Sequence, residues 1–407
     1  YGRGGVPGQN YRLTLHRLHQ FLQSLDYLSN DPAIALPKSK NVNLRSHFDH
    51  SRTKFMRDKR GTVAFIGGSI TEMDQRGHSG MVEKFLKQRF PETEFTFVNA
   101  GVSSTCSTTG AFRLTRDVLA HDPDLLFVEF AVNDDQDAMH ARRDCIRGME
   151  GIIRQAREAN PKMDIVITFF VNDPMLKQLS DGETPLTSRA HDTVARHYGV
   201  ATIDLAREVA QRIAAGSLTW KEYGGTHPIE AGNRVAADLI EDLLTAAWSA
   251  PATEYDEHRL PKPLDPNSYA NGRLIRLQAA KVDDQWTLGK PRWKEIPGAF
   301  RARFADDQFL FANKIGAEGT LDFQGTAIGV YVLAGPDAGT LEYSTDGKPF
   351  QQADLYHRFS RGLHYPRTVM LDADLLPGDH RLVFRIAESN HESSTGHAVR
   401  ILNFVAN

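Results

Sequence analysis

Apolar and polar positions divide the chain into stretches of different character. The first ten residues are rich in glycine and predict a loose terminus. Residues 11–28, "YRLTLHRLHQFLQSLDYL", carry Leu15, Leu18, Leu22 and Leu25 at helical spacing with Phe21 beside them, the pattern of an amphipathic helix. "DPAIALPKSKNVNLRSHFDHSRTKF" follows with two prolines and little periodicity, so residues 1–60 read as a helical arm and linker. From residue 61 to about 250 short apolar runs alternate with helical patterns. The runs are "TVAFIG", "EFTFVNA", "DLLFVEFA", "DIVITFF" and "VATIDL". Continuous apolar runs suit parallel strands covered on both faces. Between them "GMVEKFLKQRF" and "CIRGMEGIIRQARE" place Met81, Val82, Phe85, Leu86 and Ile146, Met149, Ile152, Ile153 on single helix faces. Strand and helix in alternation predict a three-layer, flavodoxin-like α/β domain with its site at the carboxyl ends of the strands.

The pattern changes again after residue 250. Residues 251–270 are rich in proline and polar residues and read as a linker. Beyond them, residues 271–407 alternate apolar and polar positions with Gly, Asp and Pro at the corners, as in "GTLDFQGTAIGVYVLAG" and "HRLVFRIAE". That predicts an antiparallel β-sandwich, in the manner of a jelly roll.

Composition narrows the function classes. A length of 407 residues suits two domains, and 41% hydrophobic with 24% charged residues is ordinary for a globular protein. A net charge of -3 gives no electrostatic case for nucleic acid or an anionic membrane, and no apolar run is long enough to span a bilayer. The chain begins at Tyr1, which implies an upstream segment such as a signal peptide or tag. Cys106 and Cys145 form neither a disulfide framework nor a zinc-type pair and read as buried, inert thiols.

The candidate chemistry begins at "AFIGGSITEMD", where the first strand leaves through Gly67 and Gly68 and Ser69 follows. Such a serine is a good helix N-cap, but it also exposes a hydroxyl at the sheet edge beside helical amides that can face a developing negative charge. The next strand ends in "NAG" at Gly101 and the third in "AVND" at Asn133, two potential oxyanion donors. Far downstream "THP" puts His227 before a helix, where it can exchange a proton with Ser69.

In these four blocks the chain resembles the SGNH (GDSL-type) hydrolase superfamily across residues 61–248, with an appended β-sandwich like that of modular carbohydrate esterases. The resemblance implies Ser69 as nucleophile, the Ser69 and Gly101 amides and the Asn133 side chain as oxyanion donors, and His227 as base. Two positions depart from the pattern. Ala131 replaces a glycine, and Gly224 stands where an aspartate would orient the histidine. A main-chain carbonyl near Trp220 could take that role and leave a Ser-His dyad, or Glu222 could supply the carboxylate.

Other groups could carry chemistry beside these. Asp134, Asp135 and Asp137 with Glu72 and Asp74 predict an acidic cleft mouth: solvated loop charge, hydroxyl recognition in a sugar, or a carboxylate pair for glycosidase work. His47, Asp49 and His50 read as solvated groups in the arm and not as metal ligands, and "SRTKFMRDKR" as a solvated basic face. His357, His364, His391 and His397, near Tyr356 and Tyr365, lie in loops suited to sugar stacking or to ordinary turns. No dinucleotide fingerprint or P-loop follows the first strand, so neither cofactor nor metal is expected. The expected function is ester hydrolysis, foremost of O-acetyl groups on a carbohydrate outside the cytoplasm. The alternatives are a glycosidase using Glu72, Asp74 or Asp134, and a glycan-binding protein without turnover.

Overall fold

The apolar runs assemble into one six-stranded sheet because their faces are covered by helices on both sides. The structure is a computed structural model that describes residues 36–249 and 256–407; the amphipathic helix expected over residues 11–28 lies outside them. The strands are β1 (Val42–Asn43), β2 (Arg60–Gly67), β3 (Glu94–Gly101), β4 (Leu125–Glu129), β5 (Asp164–Thr168) and β6 (Ala201–Ile203), in the order β1-β6-β5-β4-β2-β3. Strands β2 to β6 pair parallel, while β1 pairs antiparallel to β6. Every residue of the central strands β4 and β5 is buried, as continuous apolar runs require. Helices Ser107–Asp117, Arg142–Ala159 and Leu186–Tyr198 pack together on one side, and His78–Arg89 with Glu230–Ala247 on the other.

The arm expected to connect belongs in part to this domain. Residues 42–43 supply the edge strand β1, and Asp49–Met56 is a helix whose Phe55 is wholly buried. Phe55 packs edge-on against Phe90, Phe95 and Trp248, with ring centroids 5.6, 5.0 and 5.8 Å away. The basic run that read as a solvated face is therefore anchored by one aromatic ring. Its neighbour Ser51 donates its amide to Asp164 at 2.8 Å, and His50 turns to Asp124 at 3.0 Å rather than joining His47 and Asp49.

The second domain runs through β7 (Arg273–Ile275), β8 (Lys281–Val282), β9 (Thr287–Gly289), β10 (Phe309–Ala312), β11 (Glu318–Gly325), β12 (Ile328–Ala334), β13 (Thr340–Thr345), β14 (Gln351–Asp354), β15 (Tyr365–Asp372), β16 (Gly378–Ile386) and β17 (Val399–Ala406). One sheet is ordered β15-β12-β17-β10-β9 with β7 also on β17, and the other β14-β13-β16-β11-β8. The named strands pair antiparallel, and a separate apolar cluster around Leu321, Val330, Phe384 and Phe404 fills the space between the sheets.

The two domains are not merely tethered. Trp293, Phe304, Tyr331 and Leu333 of the second domain belong to the same apolar cluster as the α/β core. The described part of the expected linker is strapped along helix Arg142–Ala159. Glu150 accepts the amides of Leu264 and Asp265 at 2.6 and 3.0 Å, and buried Arg147 pairs with Asp265 at 2.9 Å. Among the described residues no helix is long and apolar enough to cross a membrane.

Because Phe55 is a core ring, Phe55→Ala is expected to lower unfolding stability by about 3–5 kcal/mol. A urea titration checks this, and an unchanged midpoint would mean that the segment only connects.

Candidate functional site

The geometry around Ser69 explains the two glycines before it. A Cβ on Gly67 would lie 2.2 Å from Glu129 Oε1 and 2.3 Å from Thr71 Oγ1, and one on Gly68 would lie 2.1 Å from Asn133 Oδ1. Both positions need glycine because other side chains occupy the space. Glu129, at the end of β4, accepts the Gly68 amide at 2.9 Å, the Thr71 amide at 3.2 Å and the Thr71 hydroxyl at 2.7 Å. It thus ties the turn to the sheet. Burial pushes its carboxyl up to about 7, against the pull of those hydrogen bonds and of Arg113. The sequence did hold a sign of this residue: a lone glutamate inside the apolar run "LLFVEFA".

Beyond the turn, Ser69 opens the single helical turn Ser69–Glu72, and its Oγ lies 2.8 Å from His227 Nε2. These two residues, 158 positions apart, are within hydrogen-bond reach. Ser69 is half-buried and His227 exposed.

The loop carrying His227 is built by glycines and caps. Thr219 and Glu222 form a reciprocal capping box on helix Trp220–Tyr223, and Gly224 closes it at φ +106°. Glu222 accepts the Thr219 amide and hydroxyl, both at 2.8 Å, so the carboxylate suggested as a partner for His227 is a helix cap instead. The Trp220 carbonyl likewise accepts the Gly224 and Gly225 amides at 3.1 and 3.2 Å. A Cβ at Gly224 would meet Ile229 N at 2.3 Å, so no aspartate fits there without moving the loop. Among the described residues, His227 Nδ1 has no hydrogen-bond partner. Asn233 steadies the loop by donating to the Pro228 carbonyl at 2.7 Å and accepting the His78 amide at 3.0 Å.

The expected oxyanion donors need one correction. Gly101 already donates its amide to Asn99 Oδ1 at 2.9 Å, and its missing side chain makes room for Glu72, whose amide nitrogen lies 2.3 Å from where a Cβ would be. Three residues on, Ser104 holds the left-handed conformation at φ +70°. Among the described residues its amide has no partner, so it is the free donor of this loop. Asn133 is buried with its carboxamide against Gly68; Nδ2 donates to Asp137 Oδ2 at 2.7 Å and Oδ1 has no partner.

None of the three carboxylates weighed for glycosidase work stands free. Asp134 is wholly buried and accepts the Ser107 amide at 2.8 Å, the Ser107 hydroxyl at 2.7 Å and His191 Nε2 at 2.9 Å. Burial opposes its ionisation, but His140 and His191 hold it far below the ordinary range. Glu72 bridges Ser103 and Arg303; burial would raise its carboxyl, yet these hydrogen bonds keep it low. Asp74 accepts from Asn99 Nδ2 at 3.3 Å.

Among the described residues two groups bring metal-type donors within 4.8 Å of one another: Cys106, Asp134 and His140, and Asp134, Cys145 and His191. Both depend on Asp134, whose oxygens already serve Ser107 and His191. Both cysteines are free and buried, as expected. Burial pushes Cys145 up to about 12; at Cys106 burial acts the same way but His140 opposes it and lowers the thiol.

The second domain meets this site with buried side chains. Tyr365 stacks on His357 at 4.2 Å, Tyr356 on His391 at 4.5 Å, and His364 Nε2 donates to the Pro297 carbonyl at 3.1 Å. Tyr356 and Tyr365 are buried, so neither offers an open face for sugar stacking. Between the domains lies a cavity of about 250 Å³ whose lining is mixed, with Ser104, Asp137, His140 and Arg367 beside Val369 and Met370.

Comparison with known proteins agrees with this architecture. No curated protein matches the chain. Two solved structures of a two-domain esterase (CEX) active on acetylated mannans, one co-crystallised with mannopentaose, are similar in fold across both domains. At 21% and 22% identity they cover 91% of this chain and 98% of that one, with TM-scores of 0.72 and 0.71. Residues 65–235, which contain the Ser69–His227 pair, match the GDSL-like Lipase/Acylhydrolase family model, so the α/β part of this chain carries a domain similar to those of that hydrolase family.

Proposed function

We propose that the protein is a serine esterase that removes O-acetyl groups from a carbohydrate through Ser69 and His227. The observation that carries this reading is the 2.8 Å contact between Ser69 Oγ and His227 Nε2 at the carboxyl edge of the sheet, with Asn133 packed against the preceding glycine. His227 takes the Ser69 proton as Oγ attacks the acyl carbon. The Ser69 amide, the Asn133 Nδ2 group and the Ser104 amide receive the oxyanion. The sugar hydroxyl leaves with the proton from His227. Water, deprotonated by the same imidazole, then attacks the acyl-serine; the bond to Ser69 Oγ breaks, Oγ takes the proton back from His227 and acetate is freed. With Glu222 committed to its cap and Gly224 closed to a side chain, the pair works as a dyad whose imidazole is held by its loop.

A carbohydrate substrate is supported by the two-domain fold shared with an esterase active on acetylated mannans. A polysaccharide cannot cross a bilayer, so the same reading places the enzyme outside the cytoplasm.

On an aryl acetate, Ser69→Ala and His227→Ala are expected to lose about 10²–10⁴-fold in turnover, while Glu222→Gln keeps most of it; an equal loss in Glu222→Gln would refute the dyad. Acetate release from acetylated mannan or xylan tests the substrate class, and turnover of the aryl ester without such release would remove the carbohydrate from the reading. Installing the carboxylate usual in the superfamily, as Gly224→Asp, is expected to lower both kcat and melting temperature. The strain at φ +106° costs about 1–3 kcal/mol and the Ile229 contact displaces the histidine loop. A gain in kcat would show that the loop can accept a triad.

A further inference from the structure

The second domain reaches both expected oxyanion elements of the first. Arg303, between β9 and β10, donates from Nη1 to Glu72 Oε1 at 2.6 Å and to the Gly101 carbonyl at 2.7 Å. Glu72 ends the helical turn that Ser69 begins, and its other oxygen accepts the Ser103 amide at 2.8 Å and the Ser103 hydroxyl. Arg301 donates from Nη2 to Ser104 Oγ at 2.7 Å. Loop 101–104, with its free Ser104 amide, is thus held on one side by the nucleophile's own helix and on the other by two arginines of the β domain. A parallel chain reaches Asn133. The Tyr365 hydroxyl donates to Asp137 Oδ1, and Asp137 Oδ2 accepts Asn133 Nδ2 at 2.7 Å. His357 holds the same segment by donating Nε2–H to the Asp137 carbonyl at 2.8 Å.

We propose that the β domain is a working part of the acyl-transfer site: Arg303 and Tyr365 are positioning residues that set the oxyanion donors, and they govern kcat rather than substrate affinity. The proposal rests on the esterase reading and deepens it. Three physical points favour it over a purely structural role. First, Arg303 and Glu72 are 38% and 31% exposed, and an ion pair that open contributes little to folding. Second, the Arg303 guanidinium contacts two different segments of the site, which a surface pair would not need to do. Third, Asn133 has one amide hydrogen committed to Asp137, which fixes the plane of the carboxamide and the direction of the other hydrogen. Oxyanion stabilisation depends steeply on the placement of such donors, because it is realised only as charge develops in the transition state. A module that merely held polysaccharide would change KM on a polymer and leave a small aryl ester unaffected.

The test uses the full chain and 4-nitrophenyl acetate, a substrate too small to need a sugar-binding module. Arg303→Ala and Tyr365→Phe are measured beside wild type, Ser69→Ala and Arg381→Ala, the last breaking an exposed ion pair with Asp322 elsewhere on the β domain. The proposal expects kcat to fall about tenfold or more in the first two, part of the loss from deleting an oxyanion donor outright, with KM little changed in both, melting temperature little changed in Arg303→Ala and lowered in Tyr365→Phe without loss of folding, and Arg381→Ala equal to wild type. Arg303→Lys, or millimolar guanidinium added to Arg303→Ala, should restore part of kcat, which neither would do for a misfolded variant. If Arg303→Ala does not fold, Tyr365→Phe decides, since it removes one hydroxyl and leaves the ring. Full kcat in both variants with Ser69→Ala inactive would overturn the proposal alone. Retained turnover in Ser69→Ala would overturn the esterase site and the proposal with it.

Discussion

The Glu129 carboxylate is the constraint on which the site depends. It occupies the space left open by Gly67 and accepts hydrogen bonds from both ends of the turn that presents Ser69. A buried carboxylate is costly unless its acceptors are filled. Here one oxygen takes three donors, while the other is buried with no partner, and the group is pushed toward neutrality. The glycines, the turn that carries Ser69 and Asn133 form one packing unit, in which the space a side chain would take at Gly67 and Gly68 is filled by Glu129 and Asn133.

The two domains share this economy of contact. The apolar cluster of the α/β sheet continues into Trp293, Phe304 and Tyr331, so relative motion of the domains would disrupt a common core. Over that apolar floor run the polar contacts of Arg301, Arg303 and Tyr365 to the loops at the carboxyl edge of the sheet. A domain joined in this way contributes groups at fixed positions, which a module on a free linker could not do. The segment read as a linker is bound along Glu150, Arg147 and Arg154, consistent with a rigid junction.

Much of the fold was legible. Five apolar runs became the five parallel strands, and the alternating segment became two antiparallel sheets, because burial on two faces and on one face leave different sequence periods. The short strand β1 and the helix around Phe55 were missed: two residues of strand and one buried ring carry too little periodicity to stand out among prolines. At the site, Ser69, Asn133 and His227 were legible as residues after strands or before a helix. Gly101 is not a free donor in the fold, since its N–H is taken by a side chain only two positions away. Nothing in the sequence marks Ser104, because its φ of +70° is a property of the folded loop and not of serine.

The sequence by itself determined the layered α/β domain, the β-sheet domain after it and the residue types at the strand ends, because these follow from local period and composition. Tertiary structure alone decided which polar groups are free. Glu222 was spent on a helix cap, Asp134 on a buried network and Glu72 on Arg303, while Ser69 and His227 met across 158 residues. A carboxylate's availability depends on which donors lie within about 3 Å of it, and those donors come from segments that only the folded chain brings together.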